Sequence, residues 1–305
     1  MNRTKILVAG STNMDMVINT AAFPAPGETI VGQRFFMNFG GKGANQAVAS
    51  ARLGGHVIFA ARTGSDIFGE QMRTNLKNEN IDLRFLRTDP DEPSGIALIT
   101  VNADGENTIV ISPGANARLS PGDIDRLIPE LMEIKVILMQ LETPMETVKH
   151  LASLGNVQGK TVILNPAPAK PLENDLLKNL TIITPNETEA ELLTGITIHG
   201  PDTAFKAAKA LKARGPEAVI ITLGSHGAIL YSDNEKAHIP ALRAKAVDTT
   251  AAGDTFNGAL AVMLAEGRSL KEAVVFANSA AALSVQKEGA QQSIPYRQDI
   301  EKQNI

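Results

Sequence analysis

Short apolar, β-prone runs recur along this chain at 5–9, 57–61, 136–140, 161–164, 181–184 and 218–223. They lack the polar alternation of a half-solvated sheet and read as strands buried on both faces. Between them lie segments of helical period. Ala44, Ala47, Val48 and Ala51 share one face and stop at Gly54, and Phe205, Ala208, Lys209 and Leu211 share another, less cleanly, before Gly215. Strand and helix in alternation predict an α/β fold, a three-layer αβα sandwich around a mostly parallel central sheet. No internal repeat, low-complexity tract or Pro-rich linker divides the 305 residues, so a single domain over 1–305 is expected.

Two stretches break the rhythm. Residues 29–38 and 95–111 are β-type with no helix between, and Asn102-Ala-Asp-Gly-Glu-Asn107 is a turn signal between two apolar runs. A few strands without helices of their own cannot cover both faces. A small inserted β-sheet is therefore expected from segments of about 13–38 and 94–112, serving as a lid over a ligand site, as a seat for a second copy, or as both.

Bulk properties narrow the ligand. A net charge of -4 and a pI near 5.8 supply no basic field for nucleic acid or an anionic membrane, so phosphate binding must come from local geometry and a small ligand is favoured. The absence of Cys removes disulfides, thiolate metal sites and a cysteine nucleophile. No leader or membrane-spanning pattern is apparent, and a cytoplasmic location is expected.

The chemistry concentrates in two segments. In Val247-Asp-Thr-Thr-Ala-Ala-Gly-Asp-Thr-Phe-Asn-Gly-Ala-Leu260, the small residues Ala251, Ala252 and Gly253 let the backbone approach a ligand. Asp254 follows at the expected cap of a helix whose Phe256, Leu260, Met263 and Leu264 share an apolar face, ending at Gly267. Free amides at that N-terminus, reinforced by the helix dipole, would form an anion hole for a phosphate gaining charge during transfer. A carboxylate there suits proton acceptance from an attacking hydroxyl better than anion binding. Taken alone, however, Asp254 reads as a helix cap.

The second segment is Asn38-Phe-Gly-Gly-Lys-Gly-Ala-Asn-Gln-Ala-Val-Ala-Ser-Ala-Arg-Leu-Gly54. Glycines 40, 41 and 43 bare the backbone at a helix start, where Lys42 and Asn45 could bind a polyhydroxylated ligand. It is not a phosphate-binding P-loop, since the upstream Gly and the Ser or Thr after Lys are missing. The five His form no convergent pattern and are assigned no catalytic role.

Together these segments resemble the paired signatures of the ribokinase-like carbohydrate kinase family, in the same order and at matching separation. The likeness extends from Gly10-Ser-Thr-Asn-Met-Asp15 to Gly289-Ala-Gln-Gln-Ser-Ile-Pro295, and includes Leu-Asn-Pro-Ala-Pro-Ala and Thr-Pro-Asn-Glu-Thr-Glu-Ala-Glu. The resemblance implies that Asn13 and Asp15 hold sugar hydroxyls together with Gly41, Lys42, Gly43, Asn45 and Glu142, beside the base Asp254. For ATP it implies Asn186, Glu189, Thr222, Gly224, Ser225, Gly227, Gly253 and Asn278. Asn186 and Glu189 match an Asn-x-x-Glu pattern associated with Mg2+, expected to act through water. A monovalent cation, K+, is implied near Asp248, Thr250, Ser284, Lys287, Gly289 and Ser293, mostly through backbone oxygens. The implied reaction is transfer of the ATP γ-phosphate to a primary hydroxyl of a pentose, O5 of D-ribose, by a homodimer joined through its lids. Deoxyribose, another sugar or a nucleoside remain alternative acceptors, and a non-catalytic sugar sensor is the alternative of another class.

Overall fold

The computed structural model describes residues 5–302. In chain order their strands are β1 (Lys5–Ala9), β2 (Asn13–Asn19), β3 (Phe35–Gly40), β4 (His56–Gly64), β5 (Leu86–Asp89), β6 (Gly95–Val101) and β7 (Asn107–Ser112). They continue with β8 (Ile134–Met139), β9 (Thr161–Leu164), β10 (Ile182–Ile183), β11 (Ala218–Thr222), β12 (Ala228–Ser232) and β13 (Lys236–Ile239).

Nine of them form one sheet in the order β13-β12-β11-β10-β9-β8-β1-β4-β5. From β11 to β5 every neighbouring pair is parallel, and only the β11-β12-β13 edge is antiparallel. Parallel neighbours require crossovers, and the crossover helices cover both faces. Alternate residues of each strand feed the two cores. Ile6, Val8, Val57 and Phe59 pack with the helices Lys42–Arg52, Ala252–Ala265 and Leu270–Ser284. Leu7, Ile58, Ile137 and Ile221 pack with Met145–Val157, Glu187–Thr194 and Pro201–Lys212. This is the three-layer αβα arrangement with a mostly parallel sheet. Phe59 is wholly buried, and truncating it to Ala would open a cavity at a cost of about 3–5 kcal/mol.

The remaining strands form the small sheet, in the order β3-β2-β6-β7, with β2 and β6 parallel and the outer pairs antiparallel. Residues 29–34 differ from the β-type reading of 29–38: only Phe35–Gly40 is a strand there. Pro24 and Pro26 lack an amide donor, and the 20–34 segment runs as a loop instead. Asn13 and Asp15, just after the first strand, lie within β2.

The strands β5 and β13 carry no long apolar run, which is why periodicity does not find them; β12 does carry one, Ala228-Ile-Leu-Tyr231, and is a strand missed despite it. On the Pro201–Lys212 helix, Ala204, Ala207, Ala208 and Leu211 form the buried face, whereas Lys209 is exposed.

Candidate active site

The carboxyl ends of the parallel strands meet along one edge of the large sheet. Ser11 follows β1, Gln140 and Glu142 follow β8, Asn165 follows β9, Thr184 and Asn186 follow β10, and Thr222 ends β11. This is where open α/β sheets bind ligands. The Lys42–Arg52 and Ala252–Ala265 helices begin at the same edge, and the small sheet departs from it at Asn13 and Gly95.

Asp254 is 7% exposed and is not the cap of its helix. The N-cap is Ala251, in the left-handed region at φ 60°, and Asp254 stands in the first turn. The expectation of a cap is corrected on this point, and with it the bland explanation for the acid disappears. Its carboxylate accepts instead from two side-chain amides of the other glycine-rich segment: Asn45 Nδ2 donates to Oδ2 and Gln46 Nε2 to Oδ1, each at 2.9 Å. Ala251 brings no side-chain cap, so the first-turn amides depend on other partners. Ala252 N donates to Thr249 O, which leaves the N–H groups of Ala251, Gly253 and Asp254 for an anion, fewer than the full 251–254 set.

The residues implied for a sugar gather around this carboxylate. A Cβ at position 40 would fall 2.1 Å from Asp15 Oδ2, so only glycine lets β3 pass over that acid. Glu142 Oε2 accepts from Lys42 N at 3.0 Å and from the Ser11 hydroxyl, tying the start of the Lys42–Arg52 helix to the end of β8. Asn13 Oδ1 accepts from Asn116 Nδ2 at 2.8 Å. Four side-chain oxygens, Asp15 Oδ1, Asn45 Oδ1, Gln140 Oε1 and Thr255 Oγ1, are buried with no hydrogen-bond partner among the described residues. Burial, reinforced by the nearby charges of Glu142 and Asp254, pushes the Asp15 carboxyl up to about 7. Burial opposes the charge on Lys42, but the carboxylates of Asp254, Glu142 and Glu189 outweigh it and pull its pKa upward.

A cavity of about 210 Å³ between Lys42, Glu189, Gly253 and Asp254 connects these residues with the strand ends. Next to it a cavity of about 550 Å³ is lined by Gly224, Ser225, Gly227, Gly253 and Asn278, among others. Gly224 and Gly227 turn at φ 52° and 90° around the short helix Gly224–His226. Asn278 Nδ2 donates to Ile239 O at 3.0 Å, holding the far wall. Asn186 caps the Glu187–Thr194 helix in a reciprocal box: its Oδ1 accepts from Glu189 N, and Glu189 Oε2 accepts from Asn186 N.

Burial raises the Glu189 carboxyl, with the cap only partly offsetting it. Only Oε2 is engaged in the cap, so Oε1 can receive a metal-bound water, which fits Mg2+ better than a protein cage would. Among the described residues no group of three or more His, Asp or Glu could hold a metal ion by itself.

Behind the Ala251 turn, Asp248 accepts from Thr250 N, Thr250 Oγ1 and Gly289 N. These bonds overcome its burial and lower its pKa. Val247 and Asp248 both donate to Val285 O, so the 247–250 and 284–289 segments, including Ser284 and Lys287, are joined. Ser293 lies further on, in the turn Gln291–Ser293, and bonds locally to Ala290 O. A fixed carboxylate among turn carbonyls is compatible with a monovalent cation.

Sequence reasoning missed the amides beneath Asp254: Gln46, Gln140, Asn165 and Asn257, with Thr184. Asn257 Oδ1 accepts from Thr184 Oγ1 at 2.6 Å, and its Nδ2 donates to Gly253 O at 2.8 Å. The available signal was a polar residue at the end of each buried run, at 140, 165 and 184.

The sequence and the fold both have recognisable relatives. The sequence matches the pfkB family carbohydrate kinase profile over residues 3–297. It is 44% identical over 297 residues to a ribokinase of Haemophilus influenzae, covering 97% of each chain. It is also 39% identical over 291 residues to a deoxyribokinase of Salmonella typhi, covering 95% of each. The fold superposes with a TM-score of 0.91 on the Arabidopsis thaliana ribokinase complexed with ribose and ATP, at 33% identity, covering 99% of this chain and 98% of that one. The profile match and the identity along nearly the whole length show that this chain belongs to the pfkB family of carbohydrate kinases.

Proposed function

We propose that the chain phosphorylates D-ribose at O5 with ATP, giving D-ribose 5-phosphate and ADP. The observation that carries this reading is the pair of buried, unpartnered acceptors, Asp15 Oδ1 and Asn45 Oδ1, beside the Asp254 carboxylate. Buried acceptors without donors are costly, and a polyol supplies donors at several points at once. A fully hydroxylated pentose fills this need better than a sugar with fewer hydroxyls. The 44% identity to a ribokinase supports the same substrate.

In the reaction Asp254 takes the proton of the O5 hydroxyl as that oxygen bonds to the γ-phosphorus. The bond from that phosphorus to the β,γ-bridging oxygen breaks, and ADP leaves. The amides of Ala251, Gly253 and Asp254 stabilise the charge building on the transferred group, and Lys42 adds a fixed positive charge beside it. The nucleotide lies along Thr222, Gly224, Ser225, Gly227 and Asn278. Mg2+, held through water by Asn186 and Glu189, would neutralise phosphate charge when bound. K+ would sit among Asp248, Thr250, Ser284, Lys287, Gly289 and Ser293, where it would brace the Ala251 turn.

We read the chain as one kinase domain with segments of about 13–38 and 94–112 as its lid. The small sheet exposes Phe35, Leu98, Ile109, Val110 and Ile111, with Val110 67% exposed, and a second copy of the chain is the proposed cover. No described helix is long and apolar enough to cross a membrane. A cytoplasmic location is part of the same proposal, since it is where ATP and a cysteine-free kinase would meet.

A panel of D-ribose, deoxyribose, other pentoses, hexoses and nucleosides, read by coupled ADP release with and without K+, tests the reading. Ribose should give the highest kcat/KM. A higher value for deoxyribose or a nucleoside would overturn the substrate, and ADP release with none of them would overturn the enzyme in favour of a sensor.

A further inference from the structure

Asp254 receives one of its two side-chain hydrogen bonds from a residue that has no route to substrate. Gln46 is wholly buried within the Lys42–Arg52 helix, and every polar atom of its amide is engaged. Its Nε2 donates to Asp254 Oδ1 at 2.9 Å and to Asn165 Oδ1 at 3.1 Å, while its Oε1 accepts from Gln140 Nε2 at 2.6 Å. Asn165 Nδ2 in turn donates to Thr184 O at 3.1 Å, anchoring that amide to the strand ends. Gln140 is also wholly buried, and the backbone is bare above it: a Cβ at position 10 would fall 2.0 Å from Gln140 Oε1.

An amide nitrogen only donates and an amide oxygen only accepts. Two neighbours therefore decide which end of Gln46 faces Asp254. The carboxylate only accepts, and Asn165 offers its oxygen because its nitrogen is spent on Thr184 O, so the nitrogen of Gln46 faces both and its oxygen is left to Gln140, whose own Oε1 has no partner among the described residues. A flip of Gln46 would set two donors against each other at the Gln140 contact and two acceptors against each other at the Asp254 contact.

We propose that Gln46, oriented by Gln140 and Asn165, is a positioning residue that holds Asp254 in the ionised, proton-accepting geometry. Asn45 binds the other carboxylate oxygen but keeps an unpartnered Oδ1, so its amide is only half committed. Gln46 is committed at every polar atom and keeps Asp254 Oδ1 fixed. Neutral donors suit this task. The charges facing Asp254 are Asp15 from β2, Lys42 at its helix start and Glu189 from the Glu187–Thr194 helix, two acids and one cation. A neutral donor fixed against Asp254 holds its carboxylate in place without competing for phosphate.

The inference rests on the proposed kinase reaction with Asp254 as base, and the wild-type protein separates the two. If wild type turns over no sugar, the reaction is wrong; if wild type is active, the variants address Gln46 alone. Gln46→Leu keeps the volume and removes the donor. Its kcat should fall about 10- to 100-fold, the value of one hydrogen bond to a charged group, while KM for sugar and for ATP stays within about threefold. The acidic limb of its kcat–pH profile should move to higher pH by about one unit.

Gln140→Leu frees the orientation without touching Asp254. It should show the same signature more weakly, and should add little when combined with Gln46→Leu. The pH limb is the readout that a packing defect would not move. A normal kcat and unmoved limb in both single variants would overturn the proposal. Equal losses of melting temperature, sugar binding and kcat with no limb shift would also overturn it, making the amides structural only. If Gln46→Leu does not fold, Gln140→Leu carries the test by the same limb shift.

Discussion

Asp15 is held at a disadvantage that the free protein alone has to bear. Among the described residues its carboxyl finds no hydrogen-bond partner, Oδ1 is buried, and Glu142 and Asp254 add like charge to the burial. Its pKa consequently rises from 3.8 to about 7. For an acid raised on folding, the native state binds more protons than the unfolded chain between these values, so stability falls as pH rises through that window. Three units at 1.36 kcal/mol each set an upper value of about 4 kcal/mol by pH 8, and the part of the side chain still in contact with solvent trims this to about 2–4 kcal/mol.

Asp15→Asn removes the charge at constant shape. With an unfolding entropy of about 0.6 kcal/mol/K for a chain of this length, the ligand-free variant should melt about 3–7 °C above wild type at pH 8. By pH 5 the gain should shrink to less than half. Sugar reverses the comparison: saturating ribose should raise the wild-type melting temperature and barely move the variant, whose amide puts a donor where the hydroxyls need an acceptor. Thermal unfolding followed by circular dichroism at pH 5, 6, 7 and 8, with and without ribose, reads all three effects. A variant less stable than wild type at pH 8, or one stabilised equally at pH 5 and pH 8, would refute this account of Asp15.

Four further outcomes follow from the same geometry. Asp254→Asn should lose about 10³-fold or more in kcat while ribose still raises its melting temperature; near-full turnover would remove Asp254 from the role of base. Ribose KM should rise several-fold on lowering the pH from 8 to 6 as Asp15 takes up its proton, and a flat KM over that range would count against Asp15 as an acceptor. Activity in potassium buffer should exceed that in sodium-only buffer, and equality would dissociate the Asp248 turn from cation binding. Val110→Asp, on the exposed small sheet, should convert a dimer to monomer in sedimentation velocity, and an unchanged sedimentation coefficient would place any interface elsewhere.

How much of this was legible beforehand depends on how local each cause is. The parallel strands showed as apolar runs because burial on both faces imposes a continuous pattern within five or six residues. The edge strand β13 did not, since Lys236–Ile239 alternates with polar residues and gets its identity from pairing with β12. Asp254 and the 40–45 glycines could be found because helix starts and close approaches leave short, local marks. Its capping role was misjudged because Ala251, a non-glycine residue in the left-handed region, takes the N-cap position one would give to a polar side chain.

The amides beneath the site lie at the other extreme. Gln46 meets Asp254 across 208 positions of sequence and Asn165 across 119. Nothing near Gln46 distinguishes it from any glutamine on a helix; only the closed sheet brings a donor at Gln140 and an acceptor at Asn165 to bear on the same amide. A run of strand ends, each closing on a polar residue, does predict that some polar network must exist there, because buried amides have to be paired. Which amide faces the carboxylate is decided by hydrogen-bond direction, and that depends on the whole set of neighbours together. The reacting groups could thus be read from two local segments, while what keeps one of them ready to accept a proton is a property of the assembled fold.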